Sequence, residues 1–408
     1  MKLDRERERE RERESKSQNL FSFKNLLRAY YSCRKRKRKT INAAKFEINF
    51  ERELLRIEQE LKSYTYQPGR SICFVITNPK PREVFAADFR DRVVHHLLVG
   101  YLEPIWEKIF IYQSYSCRNE KGAHLAINDL KRYSRKITTN FSKPAYYLQI
   151  DISAFFMSLK KDILFNLIKR HTKNTDILWL TEKIIFQNQT KNFYYKGDKN
   201  LIKLIPHHKS LFNVSPDQGL PIGNLTSQFF ANIYLNELDQ FAKHNLKISY
   251  YLRYVDDILI FHQDINQLEE WASQIDIFLQ EKLELKLHPD KKYLKSIYDS
   301  INFVGYIINP QNTLVRNRTV NSLKKKLYNF NRKILKQYPE QPIYSWTPEL
   351  CEKFKQIFET INSYYGHFKH ADTYNLRKHL YKKHFNILKI YLIPSDKNYN
   401  YFKWDIGS

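Results

Sequence analysis

Cysteine is scarce in this chain of 408 residues, which contains only four. They are Cys33, Cys73, Cys117 and Cys351. The sequence has no Cys-x-x-Cys pair and no cysteine and histidine at the spacing of metal ligands, so it indicates neither a zinc site nor a disulfide framework. Scattered thiols fit a reducing compartment, and we expect a cytoplasmic protein.

Long apolar runs are also absent. No run approaches the roughly 18 residues that a membrane span needs, and the N-terminus is charged where a signal peptide would be apolar. We therefore expect no membrane-spanning segment and no membrane partner.

Acidic residues are too few to balance the basic ones. Lys and Arg number 69 against 43 Asp and Glu, which gives a net charge of +26. An excess of this size favours a polyanionic partner, either nucleic acid or, less often, an anionic membrane. The 29 Tyr and 27 Phe suit stacking on bases, although the same rings could simply fill the core.

Two charged segments precede the globular pattern. "RERERERERE", Arg5 to Glu14, alternates in sign without an apolar stripe, so we expect a solvated tail. "RKRKRK", Arg34 to Lys39, could be a nuclear address, a nucleic-acid arm or a solvated face, and the net charge favours nucleic acid. Residues 1–42 are thus predicted to form a charged, flexible, basic extension.

The pattern from Ala145 to Ile308 predicts an α+β fold. The strand "YYLQIDISAFF" is followed by several helices, the hairpin "ISYYLRYVDDILIF", a helix and the strand "FVGYII". Upstream, "SICFVIT" and "REVFAAD" are predicted strands joined by "NPKP", and the chain after about Val320 is mostly helical and basic. The antiparallel hairpin is expected at the centre of the fold.

Two adjacent aspartates, Asp256 and Asp257, stand in the apolar run "YLRYVDDILIF". Turn chemistry explains many such pairs, but the flanking Tyr, Val, Ile and Leu are not typical of a loop. Rigidly held like charges are unfavourable unless a cation lies between them, and Asp151 has a similar setting after "YYLQI". Three carboxylates on the ends of adjacent strands suit Mg²⁺. Two such ions, with Mn²⁺ as a substitute, can activate a 3′-hydroxyl and stabilise leaving pyrophosphate, so a basic, aromatic-rich body around them indicates nucleotide polymerisation.

The stretch "YVDD" after "LR" resembles the catalytic turn of reverse transcriptases, and other motifs occur in the order of that family. "PREVFAADFRDRVVHHLL" resembles the fingers motif, "DISAFF" the first catalytic-aspartate motif, "QGLPIGNLTSQFFANIYLNELD" the segment under template and nucleotide, "LHPDKKY" the motif with a lysine near the triphosphate, and "FVGYI" the primer grip. The resemblance implies an RNA-directed DNA polymerase with a right-hand fold, which binds template RNA, an RNA/DNA duplex and dNTPs.

The family fold implies a division of this chain into fingers, palm and thumb. The fingers would be residues 43–105 and 160–215, and the palm, with its antiparallel sheet and catalytic hairpin, residues 106–159 and 216–310. A helical thumb would follow at 311–395, and a tail at 396–408.

The resemblance also implies roles for individual residues. Asp151, Asp256 and Asp257 would bind the metal ions together with the backbone carbonyl of Ile152. Around them, Arg82 would pair with the triphosphate, and Phe156 would be the steric gate that excludes a ribose 2′-hydroxyl. Gln228 would face the nucleotide, and Lys292, which adjoins Lys291, would be the general acid to pyrophosphate. The primer grip would consist of Phe303, Val304, Gly305 and Tyr306. Ordinary structural roles remain open: core packing for Phe156, a surface arginine for Arg82 and a polar helix terminus for Gln228. The pairs His95–His96 and His207–His208 lack acidic or Cys companions and are predicted to be structural.

The nucleotide segment distinguishes classes within the family. Retroviral enzymes carry LPQG and group II intron enzymes usually G-x-x-Q-G, whereas "GLPIGNLTSQ" has Ile222 in place of the glutamine. With "SYSCRNEKGAH" and "SYYGHFKHA", this string most resembles the reverse transcriptases of diversity-generating retroelements, which lie within the wider bacterial and phage group similar to group II intron enzymes. In that family, error-prone copying of a template RNA, chiefly at adenines, diversifies a target gene by mutagenic retrohoming, with a small basic accessory protein. Two interpretations of Ile222 remain open. It could be an ordinary exchange of one core residue for another, or it could reduce discrimination between nucleotides.

Two other functions stay open. The chain could be another bacterial reverse transcriptase of group II intron, retron or phage-defence type, or a non-catalytic RNA-binding protein on a polymerase fold. The intact acidic triad argues against the latter. The sequence has no further acidic cluster that would indicate an RNase H domain, and no His/Cys cluster that would indicate an HNH endonuclease. Both absences separate the chain from retroviral and many intron-encoded enzymes.

Overall fold

The computed structural model describes residues 20–35, 40–337 and 347–404. The alternating Arg/Glu segment lies outside these ranges, and only Arg34 and Lys35 of the basic hexamer lie inside them. The chain divides into two compact units. Among the described residues, the first comprises those up to Gly122 with Leu148–Ile260 and Ile265–Tyr293, and the second comprises Ala123–Tyr147, Phe261–Asp264 and those from Leu294 onward.

The described chain contains both helices and strands. Their bounds are α1 Phe23–Arg34, α2 Ile41–Ile48, α3 Phe50–Lys62, β1 Ser71–Ile76, β2 Arg82–Ala86, α4 Phe89–Trp106, α5 Ala123–Ile137, β3 Tyr146–Asp151, α6 Phe155–Ser158, α7 Lys161–His171, α8 Thr175–Ile185, β4 Phe193–Tyr195, α9 Leu225–Gln240, β5 Tyr251–Tyr254, β6 Asp257–His262, α10 Ile265–Leu283, β7 Tyr293–Ser296, β8 Ile301–Phe303, β9 Tyr306–Ile308, β10 Thr313–Val315, α11 Asn317–Gln337, α12 Pro348–Phe368, α13 Tyr374–His384, α14 Leu388–Tyr391, β11 Leu392–Pro394 and β12 Phe402–Trp404.

Two largely buried helices lie in the core of the first unit. Helix α4 begins at Asp88, whose carboxylate accepts a hydrogen bond from the backbone N–H of Arg90 at 3.1 Å and so caps the helix. Helix α4 packs against α9, and most residues of both helices are buried. Both helices therefore lie inside the core rather than on its surface, and their buried polar residues require partners there.

His95 lies inside this core, on α4. Its side chain is buried, and burial followed by the charges of His96 and Arg92 lowers its pKa to about 3. The imidazole therefore stays neutral at physiological pH. Neutrality and burial fit the structural role predicted for this histidine.

Two sheets carry the strands that matter for function. The first has the order β2-β1-β4, with β1 and β2 antiparallel and joined by the predicted turn, so that Phe74 lies opposite Val84. The second has the order β5-β6-β3-β7. Strands β5 and β6 form the predicted antiparallel hairpin, in which Leu252 faces Leu259. Ile258 and Leu259, like Leu252, are completely buried, which explains why apolar residues flank the two aspartates on both sides.

The second unit contains helix α5, the mainly helical C-terminal region and two small antiparallel sheets of order β10-β9-β8 and β11-β12. The prediction of one strand at "FVGYII" is wrong. The chain reverses within it, because Val304 and Gly305 have φ of 43° and 94°, and Phe303 pairs with Tyr306 across the resulting turn. A run of apolar residues hides such a turn, since its signal is backbone conformation rather than polarity.

The observed elements form a mixture of helices and mainly antiparallel sheets, as the predicted α+β class requires. None of the helices in the described ranges is both long and apolar enough to cross a bilayer. The finer division into fingers, palm and thumb stays a prediction.

Candidate active site

The tip of the β5–β6 hairpin is a two-residue turn at Val255 and Asp256, closed by the pair Tyr254 and Asp257. Val255 has a φ of +59°. Positive φ at the first central position suits the right-handed twist of a tight hairpin, but it is a rare conformation for a β-branched residue. Strain of this kind is found mainly at functional sites and costs about 1–3 kcal/mol. The turn must therefore be held by surrounding contacts.

Arg253 provides those contacts. Its Nη1 donates to the carbonyl oxygen of Val255 at 3.0 Å and to Asn232 Oδ1 at 3.2 Å. Its Nε and Nη2 donate to the two carboxylate oxygens of Asp239 at 2.7 and 2.6 Å, and Nη2 also donates to Ser114 Oγ at 2.9 Å. Arg253 and Asp239 are both 0% exposed. A bidentate pair whose remaining donors are satisfied fixes the guanidinium rigidly beneath the strained turn.

The start of the "SYSCRNEKGAH" string packs along the same hairpin. The backbone N–H of Tyr115 donates to the carbonyl of Arg253 at 3.1 Å, and that of Arg253 donates to Gln113 at 3.0 Å, so this segment continues the sheet beside β5. The Cys117 thiol donates to Gln228 Oε1 at 3.6 Å. One part of this string therefore supports the aspartate turn and another contacts the exposed Gln228 on α9.

Asp151 lies at the end of β3, and its carboxylate forms an ion pair with Lys291. The carbonyl of Asp151 accepts a hydrogen bond from the backbone N–H of His288 at 2.8 Å, and the buried Ile152 bridges to Leu287. The segment "LHPDKKY" is thus anchored directly beside the first aspartate. Of its two adjacent lysines the structure brings Lys291 to Asp151, whereas Lys292 is exposed.

The charges of Asp256 and Asp151 interact. Burial, and then the negative charge of Asp151, raise the pKa of Asp256 to about 6, while Lys291 and Arg82 act in the opposite direction. Asp257 accepts a hydrogen bond from Gln149 Nε2 at 2.9 Å. Gln149 lies two residues before Asp151 on β3, hence on the same face of the strand, and this bond fixes one of the two adjacent carboxylates against β3.

The donor set fits a hard divalent cation in its chemistry, because it consists of carboxylates and a backbone carbonyl. The raised pKa of Asp256 beside Asp151 supports the same conclusion, since a cation would relieve the excess of negative charge. In the described part of the chain, no three or more His, Cys, Asp or Glu side chains are arranged to hold a metal ion. The ammonium of Lys291 instead neutralises Asp151.

Several cations of the first unit interact electrostatically with the aspartates. Burial, and then the charges of Lys291, Lys80 and Arg82, lower the pKa of Lys209, which Asp151 partly opposes. Arg82 begins β2 and Lys209 ends a short 3-10 helix, His207–Lys209. Mutually repelling cations beside carboxylates form a natural binding place for a polyphosphate.

The nucleotide segment is fixed against β2. The backbone N–H of Phe85 donates to the carbonyl of Ile222 at 2.9 Å, and that of Ala87 donates to Asn224 Oδ1 at 3.0 Å. Gly223 has a φ of +125°, and a Cβ there would lie 2.6 Å from Val84 Cγ1. Only glycine allows this close approach, which sets the position of Ile222.

Phe156 and Ile222 pack against the same apolar cluster, formed by Cys73, Phe85, Met157 and Leu211. The neighbouring Phe155 is only 2% exposed, whereas Phe156 is half-buried. Phe155 is therefore the ring that packs fully inward, whereas part of Phe156 stays exposed.

The predicted primer grip lies in the second unit. Tyr306 is completely buried, and its hydroxyl contacts His367 Nδ1 at 3.0 Å and donates to the His367 carbonyl at 2.9 Å. A Cβ on Gly305 would lie 3.3 Å from His367 Cε1. His124 stacks on His370 with ring centroids 3.6 Å apart. The histidines of "SYYGHFKHA" thus hold the turn of the predicted grip and the N-terminal end of α5.

Arg253, Gln149 and Lys209 were not among the predicted site residues. Arg253 adjoins the YVDD turn, and an arginine inside an apolar strand is a signal, since a buried charge requires a partner. The signal for Gln149 is weaker: it lies two residues before Asp151, and residues two apart on a strand share one face. For Lys209 the sequence gives no signal, because its place beside the aspartates results from tertiary contacts.

Known proteins show a clear relationship to this chain. The family model described as reverse transcriptase (RNA-dependent DNA polymerase) matches residues 77–308, more than half of the chain. Protein YkfC of Escherichia coli (strain K12) is 24% identical over 301 residues, which cover 65% of this chain and 74% of YkfC. Group II intron-encoded protein LtrA of Lactococcus lactis subsp. cremoris is 23% identical over 323 residues, or 63% of this chain and 50% of LtrA.

A solved structure of telomerase from Candida albicans with a fragment of telomeric RNA has a TM-score of 0.45 and 12% identity, covering 79% of this chain and 56% of that chain.

The match to LtrA spans only half of that relative's length, whereas the match to YkfC spans about three quarters. The family match includes Asp151, Asp256 and Asp257, the aspartates around which the site is built. The chain therefore belongs to the reverse transcriptases, the family of RNA-dependent DNA polymerases.

Proposed function

We propose that this chain copies a template RNA into cDNA, with Asp151, Asp256 and Asp257 as the metal ligands and the carbonyl of Ile152 as a further ligand. The observation that carries this proposal is the strained aspartate turn, held on a buried arginine beside Asp151. Reverse transcriptases as a family use divalent metal ions, and bound Mg²⁺, or Mn²⁺ in its place, would lower the pKa of the 3′-hydroxyl and neutralise the leaving pyrophosphate. Template RNA, the RNA/DNA duplex and dNTPs are the proposed partners.

The surrounding residues would orient the nucleotide. Arg82 and Lys209 supply positive charge for the triphosphate, and Gln228, held by Cys117, faces the incoming nucleotide. We keep Lys292 as the proposed proton donor to pyrophosphate. The ion pair of Lys291 with Asp151 gives that lysine a different role, the neutralisation of Asp151 before the substrate binds.

We further propose that the enzyme belongs to a diversity-generating retroelement, where it makes cDNA with errors at template adenines and works with a small basic accessory protein. Ile222 supports this proposal. Its side chain packs on the apolar cluster shared with Phe156 and its backbone is fixed on β2. In the proposed complex an apolar group would border the nucleotide where related enzymes carry a glutamine. An apolar contact is insensitive to small displacements of a mispaired base.

The second candidate is a reverse transcriptase of the group II intron type. The observation that favours it is the similarity to LtrA, a group II intron-encoded protein. Faithful copying of all four template bases would distinguish this function from the mutagenic one.

Exchange of Ile222 for glutamine tests the mutagenic function. One restored hydrogen bond contributes roughly 0.5–1.5 kcal/mol, or about two- to twelvefold in selectivity. Ile222→Gln should therefore lower misincorporation by about that factor, mostly opposite adenine, in sequenced cDNA copied from an RNA with all four bases. Ile222→Val, which keeps an apolar side chain, is the matched control and should leave the error spectrum unchanged. Rare errors that are even over the four bases in the wild type would refute the retroelement class.

The proposed sugar gate is tested separately. Phe156→Ala should open space beside the ribose 2′ position and raise the use of rNTPs relative to dNTPs about tenfold or more, measured as the ratio of kcat/KM in primer extension. Phe155→Ala is the control, because this neighbouring ring is buried and its loss should lower stability without altering the ratio. An unchanged ratio in Phe156→Ala would leave Phe156 as a packing residue only.

A further inference from the structure

The side chain of Glu83 is buried on β2, directly after Arg82. It is only 1% exposed, and burial raises its pKa, which the hydrogen bonds from Leu211 and Ser210 partly oppose. A carboxylate is costly to bury, and one in a core is normally paired with a cation. Both of these donors to Glu83 are uncharged, so its place in the core points to a specific role.

The carboxylate of Glu83 connects β2 to a distant segment of the first unit. Ser210 Oγ, 127 residues further along the chain, donates a hydrogen bond to Glu83 Oε2 at 2.8 Å. The backbone N–H of Leu211 donates to the other carboxylate oxygen, Oε1. Ser210 lies between two short 3-10 helices, His207–Lys209 and Leu211–Asn213. The two bonds therefore fix the point at which these helices join.

Apolar contacts already hold the second of these helices on the same sheet. Leu211 belongs to the same apolar cluster as Phe85, and the ring centroids of Phe212 and Phe85 lie 5.4 Å apart. Gly219 packs so closely on Leu211 that a Cβ there would lie 2.9 Å from Leu211 Cδ1. The segment after Ser210 thus has contacts of its own, and Glu83 acts where they begin, next to Lys209.

Two cations adjoin the bonded residues in the chain. Arg82 directly precedes Glu83, and Lys209 directly precedes Ser210. Burial, and then the charges of nearby cations including Arg82, lower the pKa of Lys209, so the ammonium lies close enough to be repelled. Lys209 is exposed, and a flexible lysine turns away from like charges unless its backbone is fixed. The bonds of Glu83 to Ser210 and Leu211 supply that fixation.

We propose that Glu83 is a positioning residue that holds Lys209 beside Arg82, so that both cations bind the triphosphate of the incoming dNTP. The carboxylate itself does not touch the nucleotide, because it is buried and acts through Ser210 and Leu211. A cation whose backbone is already fixed loses less freedom when it binds a phosphate. The inference rests on the proposed function in that Arg82 and Lys209 face the triphosphate.

The experiment measures binding of a dCTP with a fluorophore on its base, by anisotropy, to the full-length chain with a chain-terminated primer on an RNA template. No nucleotide is incorporated, so a failure of polymerisation does not affect the result. Lys209→Met and Glu83→Met should each weaken dCTP binding about tenfold, because a charge-assisted contact to phosphate is lost. Glu83→Gln should stay within about twofold of the wild type, since an amide still accepts from Leu211 and can donate to Ser210.

A double variant separates positioning from simple stabilisation. Glu83→Met/Lys209→Met should bind dCTP no more weakly than Lys209→Met, because both substitutions remove the same contact. Losses that multiply would show that Glu83 does not act through Lys209 and would overturn the proposal. Lys203→Met is the matched control, since Lys203 is an exposed lysine of the 3-10 helix Lys199–Leu204. It should bind dCTP within about twofold of the wild type, and a loss equal to that of Lys209→Met would contradict a specific role for Lys209.

Labelled dCMP shows whether the effect concerns the triphosphate. It lacks the outer two phosphates, so the wild type and all variants should bind it equally weakly. A loss of dCMP binding as large as that of dCTP would place the effect elsewhere and refute the proposal, as would unchanged dCTP binding in Glu83→Met or Lys209→Met. Should Glu83→Met fail to fold, Ser210→Ala takes its place. It removes one of the two bonds and should weaken dCTP binding about threefold, and wild-type affinity in this variant would equally refute the role of Glu83.

Discussion

Asp256→Asn should abolish nearly all primer extension on an RNA template. The substitution keeps the size of the side chain but removes a charged metal ligand, and loss of several kcal/mol of charge stabilisation lowers the rate about 100-fold or more. The measurement is single-turnover extension with Mg²⁺. Asp151→Ala and Asp257→Asn should have losses of similar size. Wild-type rates in both Asp256→Asn and Asp257→Asn would refute the metal-ligand assignment.

The same substitution should raise stability at neutral pH, so a melting temperature at or above that of the wild type would exclude misfolding as the cause of inactivity. The folded-state pKa of Asp256, about 6, lies above the value of 3.8 for a free side chain. This group therefore favours folding at low pH, and that contribution is lost as the pH rises through about 4 to 6. At neutral pH the ionised carboxylate costs roughly 3 kcal/mol at most. Metal-free Asp256→Asn should consequently melt at a higher temperature than the wild type at pH 7, and at an equal temperature near pH 4.

Loss of Arg253 should have the second-largest effect, on both stability and activity. Arg253→Met leaves the buried Asp239 carboxylate without its cation, and breaking a buried pair on one side costs about 3–5 kcal/mol. It also frees the Val255 carbonyl, so the aspartate turn is no longer held in its strained conformation. We expect a strong fall in the free energy of unfolding, measured by urea denaturation, and a loss of primer extension.

Two further variants separate charge from positioning. Arg253→Lys keeps the charge against Asp239 but lacks the planar guanidinium that also reaches Val255. It should lose less stability than Arg253→Met, yet still lower kcat about ten- to 100-fold, because small displacements of reacting groups are costly. The control is Arg170→Met, which breaks an exposed ion pair with Glu237 at 3.3 Å and should change stability by about 1 kcal/mol or less. Full activity in Arg253→Lys would show that Arg253 only stabilises the core.

Local signals in the sequence were sufficient for the hairpin and its aspartates. Strands β5 and β6 are short and, apart from Arg253, their buried residues are apolar, so two carboxylates between them have few structural explanations. The β1–β2 hairpin was likewise predictable, since the Pro-containing turn lies between two apolar segments. By contrast, "FVGYII" has the pattern of one strand, and the reversal at Val304 and Gly305 is a property of backbone conformation that pattern does not show.

Several features of the site depend on contacts between segments far apart in the chain. Lys291 and Lys292 are equivalent in sequence, and only the path of the chain after His288 brings the first of them to Asp151. Phe155 and Phe156 are equally ambiguous until the fold buries one of them. The prediction for Lys292 as general acid stays a prediction, because exposure alone does not decide a role in proton transfer.

By itself, the sequence determined the family motifs and the α+β class and led to the proposal for the three aspartates, because each is encoded by residue type and local spacing. Only the tertiary structure decided which partners hold Arg253 under the strained turn and which lysine neutralises Asp151. Arg253 meets Asp239 and Ser114, and Lys209 approaches Asp151, across long separations in the chain. The physical reason is that electrostatic and hydrogen-bond partners are chosen by distance in space, and a linear pattern does not contain those distances until the chain is packed.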